Sequence, residues 1–258
     1  MSAAPQHELS GRVAVVTGSS SGIGRATALE LAAAGAACLV HARSSRAAAE
    51  TVAAEIHSRG GEATVLLADV TEPAGRQELL ERAWNWRGAV DIWINNAGAD
   101  VLTGDAASWP FERKLAALWQ VDVAATLALS RAVGARMQER GSGAIVNVGW
   151  DRAEHGMAGD SGELFAATKG AVMAFTRSLA RTLAPQVRVN CVAPGWIRTA
   201  WGERASEYWQ DRARRESLLA RWGTPEDVAR AIRFLASPAA QFMTGHILPV
   251  NGGLASPT

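Results

Sequence analysis

Thr17-Gly18-Ser19-Ser20-Ser21-Gly22-Ile23-Gly24 stands directly after a short apolar segment and directly before an amphipathic one. Gly18, Gly22 and Gly24 let the backbone turn tightly and approach a ligand closely. The N–H groups of Ser20, Ser21 and Ile23, at the start of a following helix, together with the helix dipole, would then bind a pyrophosphate. A lone run of this kind serves equally as a plain strand-to-helix turn. Placed after the first strand of an alternating α/β chain, it reads as a dinucleotide-binding turn. A second cluster, His41-Ala42-Arg43-Ser44-Ser45-Arg46, follows the second apolar segment. An acid there would hold a ribose 2′-hydroxyl and repel a 2′-phosphate. None is present; Arg43 can pair a phosphate and Ser44 can add a hydroxyl donor. NADP is therefore expected over NAD, although exposed arginines are common in this chain.

The elements that would hold these groups alternate along the chain. Strands are expected at Val13–Thr17, Ala37–His41, Thr64–Ala68, Val90–Ile94, Ala144–Val148, Val187–Val192 and Gly245–Val250. Helices are expected at Gly24–Ala34, Ala47–Arg59, Gln77–Trp86, Phe111–Glu139, Leu164–Leu183 and Pro225–Leu235, with a polar, Trp-bearing stretch at Thr199–Trp222. Strands separated by helices of this length imply a doubly wound parallel sheet of the Rossmann type, with helices on both faces. No linker or repeat divides residues 1–258, so one domain is expected, and its ligands belong at the carboxyl ends of the strands.

Composition excludes several classes. Net charge is +1, with 48% hydrophobic and 20% charged residues. That gives no electrostatic case for nucleic acid or an anionic membrane. Cys38 and Cys191 both lie in strand-like runs and read as buried thiols. No Cys/His cluster has zinc spacing, so no metal is expected. Met1–Ser10 is polar, with Pro5, and lacks the apolar stretch of a signal peptide. No run reaches membrane-spanning length. A cytoplasmic protein acting on a small-molecule substrate is the expectation.

Taken together, the motifs resemble those of the classical short-chain dehydrogenase/reductase family. Thr17-Gly18-x-x-x-Gly22-Ile23-Gly24 resembles its cofactor motif, and Asn95-Asn96-Ala97-Gly98 its second signature. Arg188-Val189-Asn190 and Pro194-Gly195-Trp196-Ile197-Arg198-Thr199 resemble the sixth-strand motif, and Thr244-Gly245 and Val250-Asn251-Gly252-Gly253 the C-terminal end. The resemblance spans Leu9 to Leu254 and implies roles by position. Asp69 and Val70 would flank the adenine. Asn96 would contact the cofactor, with Ala97 and Gly98 allowing close approach. Ile197 and Thr199 would hold the nicotinamide carboxamide, Pro194 and Gly195 would bind the cofactor beside them, and Lys169 would hold the nicotinamide ribose. It also implies a homo-oligomer, a tetramer or dimer, using the helix Phe111–Glu139, and a substrate lid at about 199–223.

The family's chemistry rests on a Tyr-x-x-x-Lys pair, a serine after the fifth strand and an asparagine in the long helix. The i, i+4 spacing sets tyrosine and lysine on one helix face, and the ammonium lowers the phenol pKa. Here the pair reads Phe165-Ala166-Ala167-Thr168-Lys169, Trp150 aligns with the serine, and Asp122 aligns with the asparagine. Phe165 has no proton to give. Two readings of the polar stretch Asp151, Arg152, Glu154, His155, Asp160, Ser161 and Glu163 stay open. Asp151, Glu154 or His155 supplies the missing acid, Asp151 being best placed after the strand; or the stretch is a solvated loop whose Asp160 and Ser161 cap a helix. Asp122 either balances the Lys169 charge or is a tolerated remnant. Trp196, Trp201, Trp209 and Trp222 form an aromatic wall or merely pack, and Tyr208, the lone tyrosine, belongs to the same segment. The expected function is an NADP(H)-dependent oxidoreductase acting on a carbonyl, alcohol or imine through a noncanonical centre. A non-redox lyase, isomerase or cyclase and a non-catalytic NADP-binding sensor or scaffold are the alternatives.

Overall fold

The computed structural model describes residues 7–254; the first six residues of the polar Met1–Ser10 start lie outside them. Seven strands form one sheet in the order β3-β2-β1-β4-β5-β6-β7. They are β1 (Val13–Val16), β2 (Ala37–Ala42), β3 (Ala63–Leu67), β4 (Ile92–Asn95), β5 (Gly143–Val148), β6 (Val187–Pro194) and β7 (Ile247–Val250). Every pairing is parallel. Parallel strands covered on both faces need apolar residues throughout rather than alternation, and β1, β2 and β4 are buried at every position.

Two cores flank the sheet. Helices α1 (Gly22–Ala33), α2 (Arg46–Ser58) and α9 (Pro225–Ala236) cover one face, burying Leu31, Val52, Ile56, Ile232 and Leu235 against Val16, Val40 and Ile94. Helices α3 (Pro73–Arg87), α5 (Thr126–Arg140) and α6 (Asp160–Leu183) cover the other, through Leu79, Leu129, Val133, Met137, Leu179 and Leu183. A buried polar chain pins α5 and α6 to this face: Trp93 Nε1 donates to Asn95 Oδ1 (2.8 Å). Asn95 Nδ2 donates to Ser130 and Asn147 (both 2.8 Å), and Asn147 Nδ2 donates to the Thr176 hydroxyl (2.9 Å). Buried polar groups persist only when partnered in this way. A third, smaller cluster gathers Val101, Leu118 and Leu164, with Phe111, Leu115 and Phe165 packed against it.

The helix expected over Phe111–Glu139 is continuous in path but not in geometry. It runs as α4 (Phe111–Leu118), a π-helical turn at Trp119–Ala125, and α5. Such wide turns concentrate at functional sites, and this one carries Asp122. Two helix starts lie four residues earlier than the sequence suggests. Helix α3 begins at Pro73, whose fixed φ suits the first helical position. Helix α6 begins at Asp160, so Asp160 and Ser161 are inside the helix, and the residue before it is Gly159 at φ 92°. The segment 199–223 folds into two short helices, α7 (Ala200–Arg204) and α8 (Glu207–Glu216). Cys38 and Cys191 are buried free thiols, both pushed up to about 12 chiefly by burial.

Candidate active site

A cleft of about 1120 Å³ opens at the carboxyl ends of the strands, where the strand order reverses between β1 and β4. The turn after β1 forms one wall. Gly18 has φ 63°, and a Cβ there would lie 2.8 Å from Ala97 Cα; a Cβ at Gly24 would overlap the Gly18 carbonyl oxygen. Glycine is therefore required at both positions. The Thr17 hydroxyl accepts from the backbone N–H of Asn96 and Ala97, both at 3.0 Å. Asn96 Nδ2 donates to the carbonyls of Thr17 and Gly18 (3.0 Å each), so Asn96 fastens the turn to the end of β4. His41 acts from the other side: Nδ1 accepts from the Gly18 N–H (3.1 Å), which leaves Nε2–H to donate to the Ala68 carbonyl (3.0 Å). Burial lowers the His41 pKa and keeps the ring neutral, against a weaker opposing pull from Ala68 and Asp69.

This wall fits the pyrophosphate of a dinucleotide. Helix α1 starts at Gly22, and Ser21 before it makes no side-chain cap. A Cβ at Gly22 would meet only Thr199 Cγ2, at 3.8 Å. The expected binding residues Gly18, Ser20, Ser21, Gly22, Ile23, Gly24, Arg43, Ser44, Asp69, Val70, Asn96, Ala97, Gly98, Lys169, Pro194, Gly195, Ile197 and Thr199 all line the one cleft. Arg43 is exposed and has no ion pair among the described residues. The Asp69 carboxyl is held below its ordinary value, first by the Thr71 hydroxyl at 2.7 Å.

At the cleft's other end lies Lys169. Its Nζ stands 2.8 Å from Asp122 Oδ2 and 3.3 Å from the Val148 carbonyl. Asp122 Oδ1 also accepts from the Ala99 N–H at 2.9 Å. Of the two readings left open for Asp122, the structure shows the ion pair. Phe165, one turn before Lys169 on α6, packs edge-on to Trp150 at 6.1 Å between centroids, and both line the cleft. Leu102, Trp109, Met157 and Ser161 line it beside them. Trp196, Trp201, Trp209 and Trp222 close the far side as one cluster, with centroid separations of 5.5 to 6.2 Å for the contacts of Trp196 and Trp201. They both pack together and wall the cleft.

A family model described as enoyl-(acyl carrier protein) reductase matches residues 18–255. A 3-oxoacyl-[acyl-carrier-protein] reductase of Synechocystis is 36% identical over 253 residues, covering 95% of this chain and 98% of that protein. This chain belongs to the short-chain dehydrogenase/reductase family. Among solved family structures, a 7α-hydroxysteroid dehydrogenase complexed with NADH and 7-oxo glycochenodeoxycholic acid superposes with a TM-score of 0.89. It is 30% identical, with 99% of this chain and 98% of that one covered. A Beutenbergia cavernae chain assigned as an NAD(P)-dependent gluconate 5-dehydrogenase, with NADP at low occupancy, gives 0.84 at 37% identity, covering 96% and 98%. The parallel Rossmann architecture matches in both, and the relatives are family oxidoreductases.

The loop candidates for a replacement acid do not reach the cleft. Asp151 is buried but is not among the lining residues. Its Oδ2 accepts from Asn251 Nδ2 at 3.1 Å, and its Oδ1 has no partner among the described residues. Burial pushes its carboxyl above the ordinary value, opposed by the Asn251 bond. His155 is exposed, and Glu154 pairs with Arg177 on the surface at 2.8 Å. Asp151 opens a short 3-10 turn, Asp151–Ala153, and its carboxyl is turned to Asn251. Tyr208 is 59% exposed and lies against Trp209. Two features escaped the sequence reading. Ser161 lies four residues before Phe165 and eight before Lys169, a helical-face spacing that would have placed it in the cleft. Glu216 joins Arg152 (2.5 Å), Arg212 (2.8 Å) and Trp196 Nε1 (2.8 Å), tying α8 to the turn after β5. No short-range pattern marks it.

No helix among the described residues is long and apolar enough to cross a membrane. Among them, no group of three or more His, Cys, Asp or Glu is placed to hold a metal ion.

Proposed function

We propose that this chain is an NADP(H)-dependent oxidoreductase that acts on a carbonyl, alcohol or imine of a small organic substrate through a noncanonical centre. The observation that carries the reading is the Lys169–Asp122 pair beside Trp150 and Phe165, at the end of a cleft whose other end fits a dinucleotide. By position, Phe165 and Trp150 stand for the family's tyrosine and serine, and Asp122 for its asparagine. Bound NADP(H) would supply or accept the hydride. Lys169 Nζ would donate to the nicotinamide ribose hydroxyls with its remaining protons, and Asp122 would hold the ammonium in place. Arg43 and Ser44 would face the 2′-phosphate, where two charge-assisted bonds favour NADP. The segment 199–223 would cover the substrate, anchored through Glu216, and its tryptophans would exclude water. Phe165, Trp150 and Trp209 would shape an apolar seat. We take the protein to be a cytoplasmic homo-oligomer, with the exposed Trp119 of the π-helical turn at the subunit contact.

The test follows NADPH absorbance with the purified protein across matched panels of ketones and imines, with product identified by mass spectrometry. NADPH-linked reduction of at least one class is expected. Substrate conversion without net NADPH oxidation would overturn the redox reading in favour of a lyase or isomerase.

A further inference from the structure

The charges around the substrate end of the cleft have the wrong sign for making an alkoxide. Among the described residues that line this end, Lys169 is the cation, and Asp122 and Asp100 are anions. The Lys169 charge is already paired at 2.8 Å. Although burial pushes the Asp100 carboxyl up, the Thr103 hydroxyl and the N–H groups of Leu102 and Thr103 hold it below its ordinary value. Ketone reduction concentrates negative charge on oxygen and is helped by donors and cations aimed at it. Leu102, Trp109, Trp150, Met157, Phe165 and the tryptophan cluster offer a largely apolar, π-rich surface instead. The face of an indole attracts a cation. Arg212 already lies over Trp196 (5.9 Å) and Trp209 (5.1 Å), and Arg113 over Trp109 (3.9 Å). Trp150 carries no such arginine or lysine among the described residues and lies edge-on to Phe165.

We propose that the substrate is a flat, aromatic-fused iminium ion, seated against Trp150. The proposal rests on the nicotinamide-dependent reading above and narrows its substrate class. The step needs no proton from the protein. A hydride adds to the iminium carbon, forming one C–H bond; the C=N π pair becomes the nitrogen lone pair, and a neutral amine results. Bound NADPH would supply that hydride and would be left in its oxidised, cationic form, so charge and electrons balance. The absence of a hydroxyl at Phe165 and Trp150 then costs this reaction nothing. The Asp122 carboxylate keeps Lys169 from repelling the incoming cation. Between two anions and one ammonium, the seat is net negative for a cation and poor for an oxyanion.

The probe is an N-methylated dihydroisoquinolinium salt, compared with α-tetralone as a neutral ketone of similar shape. Equilibrium binding is read from quenching of tryptophan fluorescence with the protein loaded with tetrahydro-NADPH, whose ring is neutral and gives no hydride. Turnover is read from NADPH oxidation and the amine or alcohol formed. The cation should bind at least about tenfold more tightly than the ketone, and its reduction rate should not vary with pH across the neutral range. Asp122→Asn should cut the cation-to-ketone affinity ratio by about tenfold. Trp150→Leu, which keeps an apolar wall, should also lower that ratio and serves if Asp122→Asn does not fold. Equal affinities, or ketone reduction that matches iminium reduction, would overturn the inference while leaving the reductase reading intact. Tight cation binding with no NADPH oxidation would instead overturn the reductase reading, and this inference with it. Failure to bind either probe would overturn the inference as well.

Discussion

Replacing Asp122 by Leu removes a carboxylate whose side chain is 2% exposed and leaves the Lys169 ammonium, 13% exposed, without a counter-charge. It also strips the Ala99 N–H of its acceptor. Breaking a buried pair from one side costs about 3–5 kcal/mol, because the orphaned charge stays in low dielectric. For a chain of this size each kcal/mol moves Tm by about 2–4 °C, so a fall of roughly 6–20 °C is expected. Lys169→Met should cost a similar amount, since it orphans the carboxylate. The double variant removes both charges and takes away only the Ala99 N–H acceptor and the long Lys169 bond to the Val148 carbonyl, a cost of about 1–3 kcal/mol for a group left unsatisfied. The two single changes should therefore be strongly non-additive, by several kcal/mol. The assay is thermal and urea unfolding of all four proteins at one protein concentration without nucleotide, because both oligomerisation and ligand shift apparent stability. Additivity to within about 0.5 kcal/mol would refute the reasoning, because independent sites behave that way.

Four further outcomes are expected. Arg43→Ala should weaken NADPH binding by roughly tenfold to a hundredfold, the value of one charge-assisted bond, and leave NADH nearly unchanged; calorimetric titration of both nucleotides checks it. Asp151→Asn should stabilise the fold at neutral pH but not in acid. Burial raises its folded carboxyl above the ordinary value, so between the two the folded state holds a proton that the unfolded state has released, and stability is lost as pH rises from the ordinary carboxylate value up through the raised folded one. The same variant should leave turnover intact, and a loss of about a hundredfold or more would make Asp151 the acid after all. Phe165→Tyr with Trp150→Ser should create measurable ketone reduction, because α6 already sets Lys169 one turn beyond position 165; the absence of any ketone activity in the folded double variant would count against the noncanonical-centre reading.

The cofactor end of the cleft was legible from local spacing. A strand, a glycine turn and a helix are contiguous in the chain; Gly18 and Gly24 leave no room for a Cβ, and Gly22 holds a φ of 53° that favours glycine. The central strands were legible because parallel strands covered on both faces read as near-continuous apolar runs. What escaped were directions fixed by distant partners. Asp151 lies just beyond β5, yet Asn251, 100 residues on, holds its carboxyl. Ser161 seemed a cap because Leu164 is the first apolar residue of α6, while the helix begins at Asp160 with no side-chain cap. The choice for Asp122 between counter-charge and remnant turned on a 2.8 Å distance that no spacing rule supplies.

The wide turn at Trp119–Ala125 has a consequence for how this segment can vary. In an α-helix each residue advances the facing direction by about 100°. The turn lets α4 address the small cluster around Val101 and Leu164, while α5 addresses the sheet-side core through Leu129 and Val133. A π-turn holds one residue more than an α-turn, so deleting one residue here would restore even winding and leave α4 and α5 facing much as they do. Leu118 and Leu129 would keep their clusters, while the residues of the turn itself, Asp122 among them, would be re-aimed. The extra residue of this turn thus sets where Asp122 points, 2.8 Å from the Lys169 ammonium.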